Sequence, residues 1–282
     1  MKKILYLGLL FITLITTNVY ANTIYSIDMD IYLDEEGTAE ITEIWDVKGS
    51  NGTEWYKPLR DLGASELSNF TVSMDGIPLT RKNWNINESL SQKAGYYGIN
   101  YNGSDTELCF GKSDFNHHTF TLKYKLSNYI FNTNDSQVLY WTLFPIFQNV
   151  DFQLINITIR SFYNFPDDID VWGYGYQGYA YAKDGIITIT NSDYPSMNNK
   201  YVVALVKFPP NTFNTKYTTT RFNNFNDVLN AANEGTFEYD YNISNNNNNN
   251  NNNNIFKTFI KKIIFEIIFF IPFIIITIVM AI

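Results

Sequence analysis

The sequence is poor in the residues from which most active sites are built. Among 282 residues there are one cysteine and two histidines. Cys109 has no second thiol in the chain, so any folded part must be held by its core rather than by a disulfide. His117 and His118 are adjacent; on a strand they point to opposite faces and cannot both bind one ion without a turn. Asp167, Asp168 and Asp170 supply only part of the six to eight oxygens that a calcium site needs, and read as a solvated turn. No Ser-His-Asp order, metal-ligand spacing or phosphate loop occurs, and no cofactor is expected. Basic residues are outnumbered, 20 against 28 acidic, and the net charge of −8 argues against nucleic acid and against recruitment by anionic lipid. No amphipathic helix of ten or more residues precedes Asn211.

What is present is an address. Lys2 and Lys3, an apolar run from Ile4 to Ile15, and Val19-Tyr20-Ala21 have the form of an export signal, with cleavage expected after Ala21. An uncleaved N-terminal anchor is the alternative. At the other end, residues 255–282 are predominantly apolar, and no charge interrupts Ile267 to Ile282. The stretch 263–282 is long enough as a helix to cross roughly 30 Å of hydrocarbon. Lys257, Lys261 and Lys262 precede it and would favour the cytosolic side, but a folded domain of this length crosses according to its signal. A lipid-anchor signal at Ser244 and Asn245 is a weaker reading, because three lysines and Glu266 interrupt the spacer and tail. The expected topology is a single-pass membrane protein, tethered to lipid by its C-terminal helix, with residues 22–254 extracellular, periplasmic or lumenal.

Between these ends the chain alternates. Tyr25, Ile27, Met29, Ile31 and Leu33 interleave with mostly polar neighbours, and Phe120, Leu122, Tyr124 and Leu126 do the same. A period of two with one wet face predicts antiparallel sheet. Turn dipeptides recur at Asn51-Gly52, Asp75-Gly76, Asn102-Gly103 and Asp184-Gly185. The expectation is an all-β domain over 22–210, an antiparallel sandwich or two β lobes. A linker over 211–254 follows, with a short helix from about Phe225 to Ala232. Its ten asparagines, Asn245 to Asn254, cannot bury enough apolar area to offset ordering, so the tract reads as a flexible tether.

Three stretches carry a resemblance: DEEGTAEITEIW (Asp34 to Trp45) followed by GTEWYKPL (Gly52 to Leu59); FTLKYKLSN leading to VLYW (Phe120 to Trp141); and WGYGYQGYAYAKDGIITIT leading to YVVALVKFP (Trp172 to Pro209). Their order resembles domain-of-unknown-function family 2207, predicted membrane proteins with an outward N-terminal domain, over about Thr23 to Pro209. The resemblance implies a signal, a β domain and a membrane helix, usually with more sequence beyond it; it implies no catalytic residue. Lys57 stands where the family pattern prefers arginine. The chain stops at its first membrane segment, so a truncated remnant of a longer protein is one reading.

Glu43 matches the family glutamate and shares a face with Ile41, Trp45 and Val47. A carboxylate there must be paired, and Lys57 is the expected partner in a structural ion pair. Trp172, Tyr174 and Tyr176, continued by Tyr179 and Tyr181, form either an aromatic platform for a sugar or protein ligand or ordinary cross-strand packing. Asn-x-Ser/Thr sequons fall at Asn51, Asn69, Asn87, Asn102, Asn134, Asn156 and Asn242. The leading functional expectation is a binding or scaffolding module for an unknown protein or glycan. A glycan-acting envelope enzyme with two carboxylates about 5–10 Å apart is the alternative.

Overall fold

The computed structural model describes residues 22–60 and 62–235. The expected export signal, the asparagine tract and the apolar segment 255–282 lie outside them. Among the described residues no helix is long and apolar enough to cross a membrane.

The chain runs β1 (Asn22–Leu33), β2 (Ala39–Lys48), β3 (Glu54–Leu59), β4 (Leu67–Met74), the two-residue strands β5 (Ile77–Pro78) and β6 (Thr80–Arg81), and a single helical turn α1 (Leu90–Lys93). There follow β7 (Tyr96–Asn102), β8 (Asp105–Gly111), β9 (His117–Leu126), β10 (Ile130–Asn132), β11 (Gln137–Phe144) and β12 (Val150–Ser161). The last strands are β13 (Val171–Tyr174), β14 (Tyr179–Lys183), β15 (Ile186–Thr190) and β16 (Val202–Phe208). Residues 225–235 are helical.

One large sheet has the order β14-β15-β12-β1-β2-β9-β4-β5, and two four-stranded sheets have the orders β10-β11-β16-β13 and β3-β8-β7-β6. The large sheet is wet on one side and dry on the other. On β2, Ala39, Ile41, Glu43, Trp45 and Val47 are buried and alternate with more exposed residues. Both small sheets pack on that dry face. Trp45 meets Phe110 of β8 edge to face at 5.6 Å, and Phe70 of β4 meets Tyr97 of β7 at 5.1 Å. Phe144 of β11 meets Phe152 of β12 at 6.0 Å. The result is a two-layer β structure whose second layer is split.

The fold departs from the antiparallel expectation at the centre of the large sheet. β1 and β12 run parallel, in register from Asn22↔Val150 to Leu33↔Ser161. Alternation reports that one face is wet, and a half-wet sheet imposes it on parallel and antiparallel neighbours alike. The outer face here is polar on both strands: Asn156 Nδ2 donates to Asp28 Oδ1 at 2.9 Å, and Arg160 binds both carboxylate oxygens of Asp30. The large sheet is therefore mixed. Packing also continues past Pro210: Phe213 is buried, its N–H donates to Gln137 Oε1 at 2.7 Å, and Phe225 is buried as well.

Two of the four turn dipeptides form tight hairpins, while Asn51-Gly52 joins strands of different sheets and Asn102 pairs with Asp105 as the last residue of β7. Asp75-Gly76 and Asp184-Gly185 each hold two consecutive positive φ angles, the type I′ hairpin geometry, between β4 and β5 and between β14 and β15. The turn from β1 to β2 is more demanding. Asp34 Oδ1 accepts from the N–H groups of Glu36 and Thr38, and Gly37 sits at φ 76. The Gly37 carbonyl accepts from both Tyr129 N and Ile130 N, and a Cβ at this position would lie 2.9 Å from Ile130 Cβ. Gly37→Ala should therefore cost about 2 kcal/mol, from the left-handed backbone plus the contact with Ile130. Urea unfolding checks it; an unchanged midpoint would remove the close approach from the account.

Candidate functional site

Glu43 projects from β2 into the dry layer, fully buried. Its Oε2 accepts from Trp45 Nε1 at 2.7 Å, and its Oε1 accepts from the Tyr124 hydroxyl. Lys57, on β3 and also buried, places Nζ 3.5 Å from Glu43 Oε1. The third partner lies on β11. The pairing of β11 with β16 slips between Thr142 and Phe144, which leaves Leu143 as the extra residue of a bulge. Lys57 Nζ donates to the Leu143 carbonyl and lies 3.6 Å from the centre of the Phe144 ring. One buried ion pair thus ties a strand from each of the three sheets at the line where the split second layer meets the large sheet. Burial lowers the Lys57 pKa to about 8, with Glu43 acting in the opposite direction. Burial, with Glu43 adding, raises the Tyr124 and Tyr129 hydroxyls above the usual tyrosine range.

Two further buried lysines were invisible in the sequence, where nothing in their neighbours marks them. Lys93 Nζ meets Glu54 Oε2 at 2.6 Å, Thr53 Oγ1 at 2.9 Å and the Ile86 carbonyl at 2.8 Å, and so pins the α1 excursion to β3. Lys112 Nζ donates to Asn22 Oδ1 at 3.0 Å and lies 4.3 Å from the centre of a Trp55 ring. Burial lowers its pKa to about 8. His118 is held between Asp75 and Asp114 at 2.7 and 2.9 Å, while His117 contacts Asp46. Burial opposes protonation of His118, but the two carboxylates outweigh it and raise its pKa. Among the described residues no group of three His, Cys, Asp or Glu side chains could hold a metal ion.

The aromatic run is divided between sheets. Trp172 and Tyr174 lie half-buried on β13, with the Trp172 ring 5.4 Å from Phe225. The hydroxyl of Tyr176 turns back to the Tyr179 carbonyl at 2.8 Å, and Tyr179 and Tyr181 are exposed on β14 of the large sheet. Gly175 lies at φ 88, and a Cβ there would fall 2.3 Å from the Tyr201 ring. Of the sequons, Asn51, Asn69, Asn87, Asn102 and Asn134 are exposed. Asn156 is half-buried, with its amide between Asp28 and Thr190. Asn242 lies outside the described residues.

A cleft of about 540 Å³ opens beside the ion pair, between the turn at 62–65, β11 and the segment 217–222. Trp141 forms part of its floor. The indole is stacked on Tyr129 at 4.6 Å with 5° between planes, and its N–H donates to the Tyr129 carbonyl at 2.8 Å. Tyr140, Tyr217 and Phe222 add half-buried aromatic surface, and Arg60 and Arg221 are exposed at the rim. Trp141 and Thr142 also line a void of about 10 Å³ that touches Lys57 and Tyr124. Trp141 and Thr142 thus border both the cleft and the void that Lys57 lines.

The model for the N-terminal domain of DUF2207, described as a predicted membrane protein, matches residues 23–206. The chain belongs to the DUF2207 family. The match covers the three sheets through most of β16. No curated protein matches the sequence. Among solved structures, the DUF2207 chain is similar to yeast LTA4 hydrolase in complex with bestatin, at 10% identity and TM-score 0.43 over 68% of this chain and 29% of that one. It is similar to an M1 zinc metallopeptidase from Deinococcus radiodurans at 11% identity and TM-score 0.33, over 66% of this chain and 42% of that one. The DUF2207 chain thus spans less than half the length of either.

Sequence reasoning did not find this cleft. Its walls come from three segments far apart in the chain, none of which has a motif. One signal was available: the chain has four arginines, Arg60, Arg81, Arg160 and Arg221, and two of them border this cleft.

Proposed function

We propose that this DUF2207 domain is an outward-facing, membrane-anchored binding module, and that the cleft over Trp141 is where it takes its ligand. The cleft carries this reading. Its volume falls within the roughly 300–1,000 Å³ of small-ligand sites, and its walls combine aromatic faces with a few polar groups. The anchor and the outward side rest on the export-signal pattern, the apolar segment 255–282 and the family's description as predicted membrane proteins. Glycan hydrolysis at this cleft would need a facing pair of carboxylates. The described lining residues supply no such pair; Asp61, between the lining residues Arg60 and Leu62, lies outside the described residues.

The test is a thermal-shift screen of the detergent-solubilised full chain against glycans, peptides and small organic acids. A true cleft ligand should raise Tm for the parent chain and lose at least about tenfold in affinity with Trp141→Ala, which deletes a large aromatic contact. Ligands that bind the Trp141→Ala chain equally well would move the site elsewhere. Protease protection on sealed vesicles, with digestion of the β domain only from the outward side, checks the topology.

A further inference from the structure

The whole chain has a net charge of −8, yet two of its four arginines, Arg60 and Arg221, border the cleft; Asp61, between the lining residues Arg60 and Leu62, lies outside the described residues. Arg160, by contrast, is paired with Asp30 through two hydrogen bonds. Arg60 has only a long contact, 3.5 Å, to Asp105. Among the described residues no carboxylate forms an ion pair with Arg221, whose guanidinium lies 5.0 Å from the Phe222 ring. An exposed guanidinium fork beside half-buried aromatic faces suits a planar anion such as a carboxylate, which it can bind through two parallel hydrogen bonds.

The backbone around the cleft leaves no open β10 edge for a peptide to extend. A peptide most simply adds to an open strand edge. Here the edge strand β10 is already covered by the segment after β16. Asn132 N donates to the Tyr217 carbonyl at 2.8 Å, Thr219 N donates back to the Asn132 carbonyl at 3.4 Å, and Asn132 bridges Thr218 in parallel. What faces the cleft is side chain: aromatic rings at Tyr140 and Trp141, exposed threonines at Thr218 and Thr220, and the two arginines. Aromatic faces pack on the C–H side of a sugar ring, hydroxyls match its hydroxyls, and the guanidinium groups match an acidic substituent.

We infer that the ligand is an acidic saccharide bearing carboxylates, held with its ring against Trp141 and its charge on Arg221 and Arg60. This inference rests on the cleft being the binding site and names the class of ligand it takes. The experiment titrates trigalacturonic acid, galactotriose and triglutamate into the detergent-solubilised full chain by calorimetry at low salt. The acidic trisaccharide should bind at least about tenfold more tightly than either control. Arg221→Ala, at an exposed position, should keep the parent Tm and lose about tenfold of that affinity. Arg221→Lys should recover only part of it, because a point charge cannot reproduce the fork. The affinity should also weaken with added salt.

Equal binding of triglutamate, or preference for galactotriose, would overturn the acidic-saccharide class while leaving the cleft a binding site. Binding of trigalacturonic acid unchanged by Arg221→Ala and by Arg60→Ala would overturn the placement of the charge. No binding of any probe at millimolar concentration would overturn the inference. The binding-module reading fails separately, if no compound in the broader screen depends on Trp141.

Discussion

Replacing Glu43 by glutamine is expected to destabilise the fold by about 3–5 kcal/mol, the usual consequence of removing one partner from a buried ion pair. Two losses combine. Lys57 keeps its buried ammonium with only the Leu143 carbonyl and the Phe144 face beside it. Trp45 N–H and the Tyr124 hydroxyl both donate to the carboxylate, and a single amide oxygen cannot reproduce both of its acceptors in place. Against a total stability of roughly 5–15 kcal/mol for a domain, such a loss should also cut the yield of folded protein. Lys57→Met alone should cost less than Glu43→Gln, because Glu43 retains Trp45 and Tyr124. Urea unfolding of the two variants measures both. An unchanged midpoint for Glu43→Gln would mean that the pair contributes nothing to holding the three sheets together.

The second large effect is a stability that rises into alkaline pH. Lys57 titrates near 10.5 in the unfolded chain and at about 8 in the fold. Between these values the unfolded state holds a proton that the folded state has released, so stability increases with pH across that window and is flat below it. At about 1.4 kcal/mol per unit, the swing is on the order of 3 kcal/mol. Lys112, also at about 8, acts in the same direction. The buried tyrosines reverse the trend. Tyr124 and Tyr129 keep in the fold the protons that unfolded tyrosines lose near pH 10, so stability falls above that value. Urea midpoints between pH 7 and 11 should therefore pass through a maximum near pH 10, and Lys57→Met should flatten the rising limb. A midpoint that declines steadily from pH 7 would contradict the burial of these lysines.

Local order was readable wherever one physical cause acts alone. The alternation of β1, β2 and β9 marks the dry face, and Asp75-Gly76 and Asp184-Gly185 mark hairpins because few other residues tolerate two left-handed positions in succession. The apolar company of Glu43 was readable for the same reason, from Ile41, Trp45 and Val47. The direction of β12 was not, because a half-wet strand alternates whichever way its neighbour runs. The end of the packed chain was placed at 210 on a change of composition. Phe213 and Phe225 show that a few aromatic anchors suffice to bind an otherwise polar segment. The cleft was out of reach because Arg60, Trp141 and Arg221 meet only through tertiary structure. The bulge at Leu143, which frees the carbonyl that Lys57 uses, has no signature among its neighbours.

The account turns on Glu43 and Lys57 acting as one unit at the junction of the three sheets. The most direct measurement is the coupling energy from a double-mutant cycle of Glu43→Gln and Lys57→Met by urea unfolding. The expected result is a double variant more stable than Glu43→Gln alone, with a coupling of about 2 kcal/mol or more, since removing the second charge relieves the first. Strict additivity, within about 0.5 kcal/mol, would show that the two residues do not depend on each other and would contradict the account.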